Sequence, residues 1–213
     1  FDIDEVMPDF FQLIRPEPLD LTASQALLKP DEAVLIIVPS EFGTHIVALT
    51  HERAKWHRSD QTSFQVGRKA RRLLWDVGAN VDIPIAESLE WEQQGEGVYP
   101  YDRKTAFSLY TELVEPLSQL LADKRHVFIA ASDSLSSLPF GILVTEAPTG
   151  RDGDPEALRG TQWFADQHAL IQIPSIQSLA FLRERGSPIH AGERLKFMGF
   201  GDPVLTGQAD VRG

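Results

Sequence analysis

The sequence predicts an α/β fold: a mixed or parallel sheet flanked by helices, with an amino-terminal antiparallel strand pair. Residues 33–38 and 44–50 are rich in β-branched side chains and are joined by a short link from Pro39 to Gly43, as in paired strands. Residues 126–131 are an apolar run ending in small side chains, the pattern of a strand buried on both faces of a parallel or mixed sheet. Segments with helical apolar spacing fall between and after these strands, which favours a layered α/β arrangement over a bundle or a sandwich.

Taken in order, the first thirty residues carry Pro8, Pro16, Pro18 and Pro30, which leave little room for helix, so residues 1–32 read as a lead-in segment. Its exception is residues 21–28, a short helix that Thr22 or Ser24 is placed to cap. A third short strand is expected around residues 55–57. Between residues 62 and 78 the apolar positions Val66, Ala70, Leu73, Leu74 and Val77 recur at helical spacing and Gly78 supplies a stop, leaving Arg68, Lys69, Arg71 and Arg72 on a solvated face. Residues 81–102 hold acids, glycines and Pro100 without a sustained period, and read as an exposed acidic loop. Ala106, Leu109, Tyr110, Leu113, Leu117, Leu120 and Leu121 form one stripe of a second helix, which Pro116 should kink or restart. A glycine- and charge-rich loop is expected over residues 148–160. Residues 169–173 read as strand, and Ser175 caps a helix running through Arg183 that Gly186 ends. Residues 195–200 are again strand-like. There is no internal repeat.

The 213 residues suffice for a sizeable core without covalent staples. Thirty-one acids against twenty bases give a net charge of −11, which argues against a nucleic-acid backbone or an anionic membrane as partner. The basic run at residues 68–72 has no interleaved aromatics and so does not suggest a nucleic-acid groove. The chain contains no cysteine, which excludes disulfides, thiolate metal sites and a cysteine nucleophile within it. No apolar stretch approaches the eighteen residues of a membrane span, and the start Phe1-Asp2-Ile3-Asp4-Glu5 lacks the features of a signal peptide. The expectation is a cytoplasmic protein cut from something longer.

Motifs that carry chemistry are incomplete. Gly199-Phe200-Gly201-Asp202-Pro203 follows a strand, but Val204 stands where a dinucleotide loop needs its third glycine. His126 and the Ser132-Asp133-Ser134 run place triad residue types near one another, yet no sharp nucleophile elbow is present, and Ser-Asp-Ser after a strand suits a turn in which Asp133 bonds local backbone. His51-Glu52 begins a zinc-protease pattern that Lys55 breaks, with His57 out of helical step. His45, His126, His168 and His190 are scattered and lack carboxylates at ligand spacing. No metal and no cofactor is expected.

Five phrases in order resemble the CHAT domain, a caspase-like module usually found behind tetratricopeptide repeats in bacteria. They are Leu27-Leu28-Lys29-Pro30-Asp31-Glu32-Ala33-Val34-Leu35; Leu109-Tyr110-Thr111-Glu112-Leu113-Val114-Glu115-Pro116-Leu117 with Leu120-Leu121; Leu135-Ser136-Ser137-Leu138-Pro139-Phe140 with Leu143; Ile173-Pro174-Ser175 with Leu179 and Leu182; and Gly199-Phe200-Gly201-Asp202-Pro203. Ser132 and Ser134 flank Asp133 where the family commonly has a proline and a glycine. The phrases read as scaffold: Pro139 suits the first turn of a helix, Phe140 fills the core beneath it, and Ser175 is a cap. The resemblance makes residues 33–213 the amino-terminal part of a CHAT domain, an incomplete caspase-like layer ending just after its first core strand at residues 195–200.

The resemblance further implies a parent cysteine endopeptidase whose histidine and cysteine lie beyond this chain, acting on a protein or peptide substrate and preceded by helical repeats. This piece would itself be inactive. The rival reading is a non-catalytic interaction module, and a third is a small-molecule-binding α/β domain with its ligand at the carboxyl ends of the strands. One side chain is singled out as substrate-binding: Asp202, just past a strand end, where a carboxylate could select a basic side chain. Its competing reading is a turn residue before Pro203.

Overall fold

A computed structural model describes residues 18–82, 84–92 and 100–185. Their strands form one open five-stranded sheet in the order β3-β2-β1-β4-β5. β1 (Glu32–Ser40), β2 (Gly43–Thr50) and β3 (Ala54–Ser59) pair antiparallel as a meander. β4 (His126–Ala131) lies parallel to β1, with Leu35 opposite Ile129, and β5 (Ala169–Gln172) lies parallel to β4. The sheet is therefore mixed, and its helices cover both faces. Among the described residues no helix is long and apolar enough to cross a membrane.

Strand alternation divides the core. Ala33, Leu35 and Ile37 of β1, with Ile46 and Ala48 of β2 and Val127 and Ile129 of β4, face a large cluster formed with α2 (Ser63–Asp76) and α4 (Arg103–Leu113). α2 buries Val66, Ala70, Leu73 and Leu74 on one stripe. Full burial of each leucine contributes about 1.5–3 kcal/mol. The opposite face carries Val34, Leu49, Phe128 and Ala130. They pack against Leu28, just past α1 (Leu21–Ala26), and against Ile176 and Leu179 of α8 (Ile176–Arg185).

The predicted helix boundaries have identifiable causes. Thr62 caps α2 in a reciprocal capping box with Gln65. After α2, Gly78 takes the positive φ of 78° that turns the chain away. Pro116 restarts the helix as expected: α4 stops at Leu113, a 3-10 turn covers Glu115–Leu117, and α5 (Ser118–Leu121) follows. The Ser175 hydroxyl accepts from Ser178 N at 3.2 Å at the start of α8. Pro139 precedes the 3-10 turn Phe140–Ile142, and Phe140 is buried beneath it.

Four expectations are corrected. Asp20, not Thr22 or Ser24, caps α1: its carboxylate accepts from Ala23 N at 2.7 Å, while Ser24 is buried within the helix. Residues 81–102 are not all loop, since Ile85–Glu92 form α3. Ile85 and Leu89 share one face of that helix but stay exposed, and Glu87 ties it to α2 through Arg71 Nη2 at 3.0 Å. The basic face of α2 is not simply solvated. Lys69 pairs with Glu112 of α4 at 2.9 Å, and Arg72 pairs with the fully buried Asp76 at 3.0 Å. The segment over residues 148–160 is also more structured than a loop, because it contains α6 (Pro155–Arg159) and wraps a buried arginine. Residues 195–200, read as a strand, lie outside the described residues.

Candidate functional site

In an open α/β sheet the crevice beyond the carboxyl ends of parallel strands is the usual place for chemistry. Here that edge is built where β4 runs out beside β1, and Ser132 N donates to Ile37 O at 3.1 Å. The chain then turns through the 3-10 segment Asp133–Leu135. Asp133 has a φ of 56°, a left-handed conformation that aspartate tolerates better than most side chains. The turn is closed by the Asp133 carbonyl, which accepts from Ser136 N at 3.0 Å and from the Ser136 hydroxyl at 2.7 Å. The expected turn is thus present, but its backbone oxygen closes it where the Asp133 carboxylate was anticipated.

Ser134 projects toward α2, where a Cβ on Gly67 would stand 2.9 Å from Ser134 Oγ. Gly67 allows this close approach of helix and turn. Ser134 Oγ and Arg71 Nε are both buried without hydrogen-bond partners, and both residues crowd Gly67. The Arg71 guanidinium is anchored on the Glu87 carboxylate. Such an edge supplies polar donors. Among the described residues no base is hydrogen-bonded to Ser134 Oγ, so nothing recorded there activates the serine.

The triad residue types are not brought together. His126 opens β4 and its Nδ1 lies 3.3 Å from Asp31, whereas Ser132 and Asp133 follow the far end of the strand, roughly 20 Å away at strand rise. The other described histidines are equally dispersed. His45 stacks on Trp56 with centroids 6.0 Å apart, His51 pairs with Glu52 at 3.2 Å, His57 lies in β3, and His168 precedes β5. Among the described residues no three His, Cys, Asp or Glu side chains gather where they could hold a metal ion. Asp202, its phrase Gly199-Phe200-Gly201-Asp202-Pro203 and His190 lie outside the described residues.

Two buried polar centres escape the sequence reading. Arg103, 1% exposed, opens α4 and donates to Asp152 Oδ1, the carbonyls of Thr149, Gly150 and Ala157, and the Thr161 hydroxyl. A signal for it does exist: a cation at the first position of a helix opposes the macrodipole, so it needs a specific partner. Asp76 at the end of α2 accepts from Asp102 N at 2.9 Å and pairs with Arg72. Burial raises its pKa above the ordinary 3.8, against the lowering effects of the Asp102 amide and Arg72. Tyr101 next to it is pushed above the ordinary tyrosine range by burial and by the Asp76 and Asp102 carboxylates, while its hydroxyl donates to Ile142 O at 2.7 Å. Both centres join elements of the scaffold.

No family model and no curated protein matches this chain.

Proposed function

We propose that the chain is the amino-terminal scaffold portion of a caspase-like cysteine endopeptidase of the CHAT type, with the histidine and cysteine supplied by sequence outside it. The observation that supports this reading is that four of the five resembling phrases fall at the connections of one mixed sheet and its helices, the fifth lying outside the described residues. Pro30-Asp31-Glu32 leads into β1, Pro116 divides α4 from α5, the phrase from Leu135 to Phe140 turns the chain out of β4, and Ile173-Pro174-Ser175 passes it from β5 to α8. Each of these four phrases redirects the chain, as scaffold residues do. The absence of cysteine agrees with a piece that carries no nucleophile of its own.

In this proposal helical repeats precede the scaffold, a protein or peptide is the substrate, and Asp202 helps select a basic side chain before the cleaved bond. The alternative is a non-catalytic interaction module. Peptide-panel assays on the 213-residue chain and on its full-length parent distinguish the two. The peptidase reading expects no turnover by the chain and iodoacetamide-sensitive cleavage by the parent, with Asp202→Asn lowering cleavage after Arg and Lys relative to neutral residues. A parent that cleaves nothing, or cleaves without sensitivity to thiol alkylation, overturns it. Unchanged preference in Asp202→Asn makes that residue a turn former only.

A further inference from the structure

At the opposite end of the parallel strands, a cavity of about 400 Å³ opens between α4, α5 and α7 (Phe164–Gln167). Tyr110, Ser118, Leu121, Phe164, Gln167 and His168 are among its lining residues, and none of those lining it is Asp, Glu, Lys or Arg. Its wall is a run of three rings. Tyr110 and Phe164 have centroids 5.6 Å apart and tilted by 59°, and Phe164 meets His168 edge-on at 5.4 Å.

His168 is 9% exposed, and its Nδ1 lies 2.7 Å from the Lys124 carbonyl oxygen. A carbonyl only accepts, so Nδ1 carries the donated proton, and in that tautomer Nε2 is the ring's acceptor. Among the described residues Nε2 has no partner, and the ring lines the cavity. The position is rigid, because Ala169 N, the next donor along the chain, is bound to Arg125 O at 2.9 Å as β5 begins. The cavity therefore combines a wall of three rings and Leu121 with the uncharged polar side chains of Ser118, Gln119 and Gln167, and with one fixed acceptor, Nε2, that no protein group occupies among the described residues. Binding pockets for small molecules typically have about this size and this mixture of apolar walls with few placed polar groups. A charged guest would lose its hydration without a counter-charge, which favours a neutral one.

We propose that this cavity binds a small neutral aromatic molecule, its ring packed against Phe164 and a ring N–H or hydroxyl donated to His168 Nε2. The proposal is independent of the peptidase reading, since the cavity is built wholly from described residues at the amino ends of β4 and β5. Indole and N-methylindole make a matched pair of probes, alike in ring but only one with a donor. Titration of the intact chain should show indole binding about fivefold more tightly, the effect of one net hydrogen bond of ordinary strength. The Nε2 resonance of His168 should move in long-range proton–nitrogen spectra on adding indole and stay in place with the methylated probe. His168→Asn keeps an N–H for the Lys124 carbonyl and has no acceptor at the position of Nε2, its own amide oxygen standing nearer the backbone, so the preference for indole over the methylated probe should shrink. Equal affinities in the unaltered chain, an unmoved Nε2 resonance, or no binding up to the solubility of indole would each overturn the proposal. These measurements on the unaltered chain decide the matter even if the variant fails to fold.

Discussion

Replacing Arg103 should loosen the segment over residues 149–161 and destabilise the whole chain. Its guanidinium donates five hydrogen bonds, at 2.7 Å to Asp152, 2.9 Å to Ala157 O, 3.1 Å to the Thr161 hydroxyl, and 3.0 and 3.3 Å to Thr149 O and Gly150 O. Five separate bonds to a charged donor would sum to an implausible total, because a lost network lets water reach some acceptors and the contributions do not add. Asp152 is 26% exposed and can be re-solvated, whereas Thr161 is buried. Removing one member of a buried pair typically costs about 3–5 kcal/mol, and the partial exposure of Asp152 places Arg103→Ala toward the lower end. For a chain of this length that corresponds to a fall in Tm of about 6–15 °C. Urea denaturation gives the magnitude, and amide exchange gives its location, with protection lost first at Leu158, Gly160 and Thr161, whose N–H groups are hydrogen-bonded within the segment. Arg103→Lys should recover only part of the loss, because an ammonium keeps the charge but cannot reach acceptors spread around a planar fork. A loss below about 1 kcal/mol for Arg103→Ala, or full recovery by lysine, would show that the network is not what orders this segment.

Burial raises the folded-state pKa of Asp76, so the folded chain takes up this proton at higher pH than the unfolded chain does. The contribution of this group to stability therefore rises as pH falls through the folded pKa and levels off below the unfolded value near 3.8. Asp76→Asn, which keeps an acceptor for Asp102 N, removes that dependence; the denaturation midpoint of the parent chain relative to the variant should increase from pH 7 to pH 4, and a constant difference would refute the assignment. Gly43 sits at a φ of 134° with the position of a Cβ only 2.6 Å from Ser59 O, so Gly43→Ala forces β2 away from β3. We expect it to cost about 1–3 kcal/mol in urea denaturation, and a neutral result would mean that the β1–β2 link relaxes freely.

What was legible in the sequence was whatever local chemistry decides. Apolar and β-branched runs marked the strands, helical spacing ended by Gly78 marked α2, and Pro116 marked the break between α4 and α5, because each acts within a few residues of itself. Apart from the cap of α1, where Asp20, Thr22 and Ser24 are all capping residue types within one turn, the misses share one cause. Lys69 finds Glu112 forty-three residues on, and Arg103 finds Asp152 forty-nine residues on, so neither pair leaves a periodic trace. α3 shows the same limit: Ile85 and Leu89 are a single i, i+4 pair among acids, too short a stripe to mark a helix, and the Arg71–Glu87 pair that ties α3 to α2 is invisible to a hydrophobic pattern.

The same division applies to the sites. That His126 and the Ser132-Asp133-Ser134 turn are poor triad material could be argued from motif grammar, and strand geometry agrees by setting them at opposite ends of β4. The aromatic cavity could not be argued that way. Tyr110 was assigned to a helix stripe and His168 to the scattered histidines, which is all their neighbours in sequence disclose. Their role depends on three facts from distant segments: the Lys124 carbonyl that fixes the His168 proton, the Phe164 ring between the two residues, and the turn at Pro116 that swings Ser118 and Leu121 across the opening. A helix continuing straight past Leu113 would carry α5 away from α7. The proline that the sequence marks as a break is thus what brings the cavity wall together, and the break is where local sequence and distant chemistry meet.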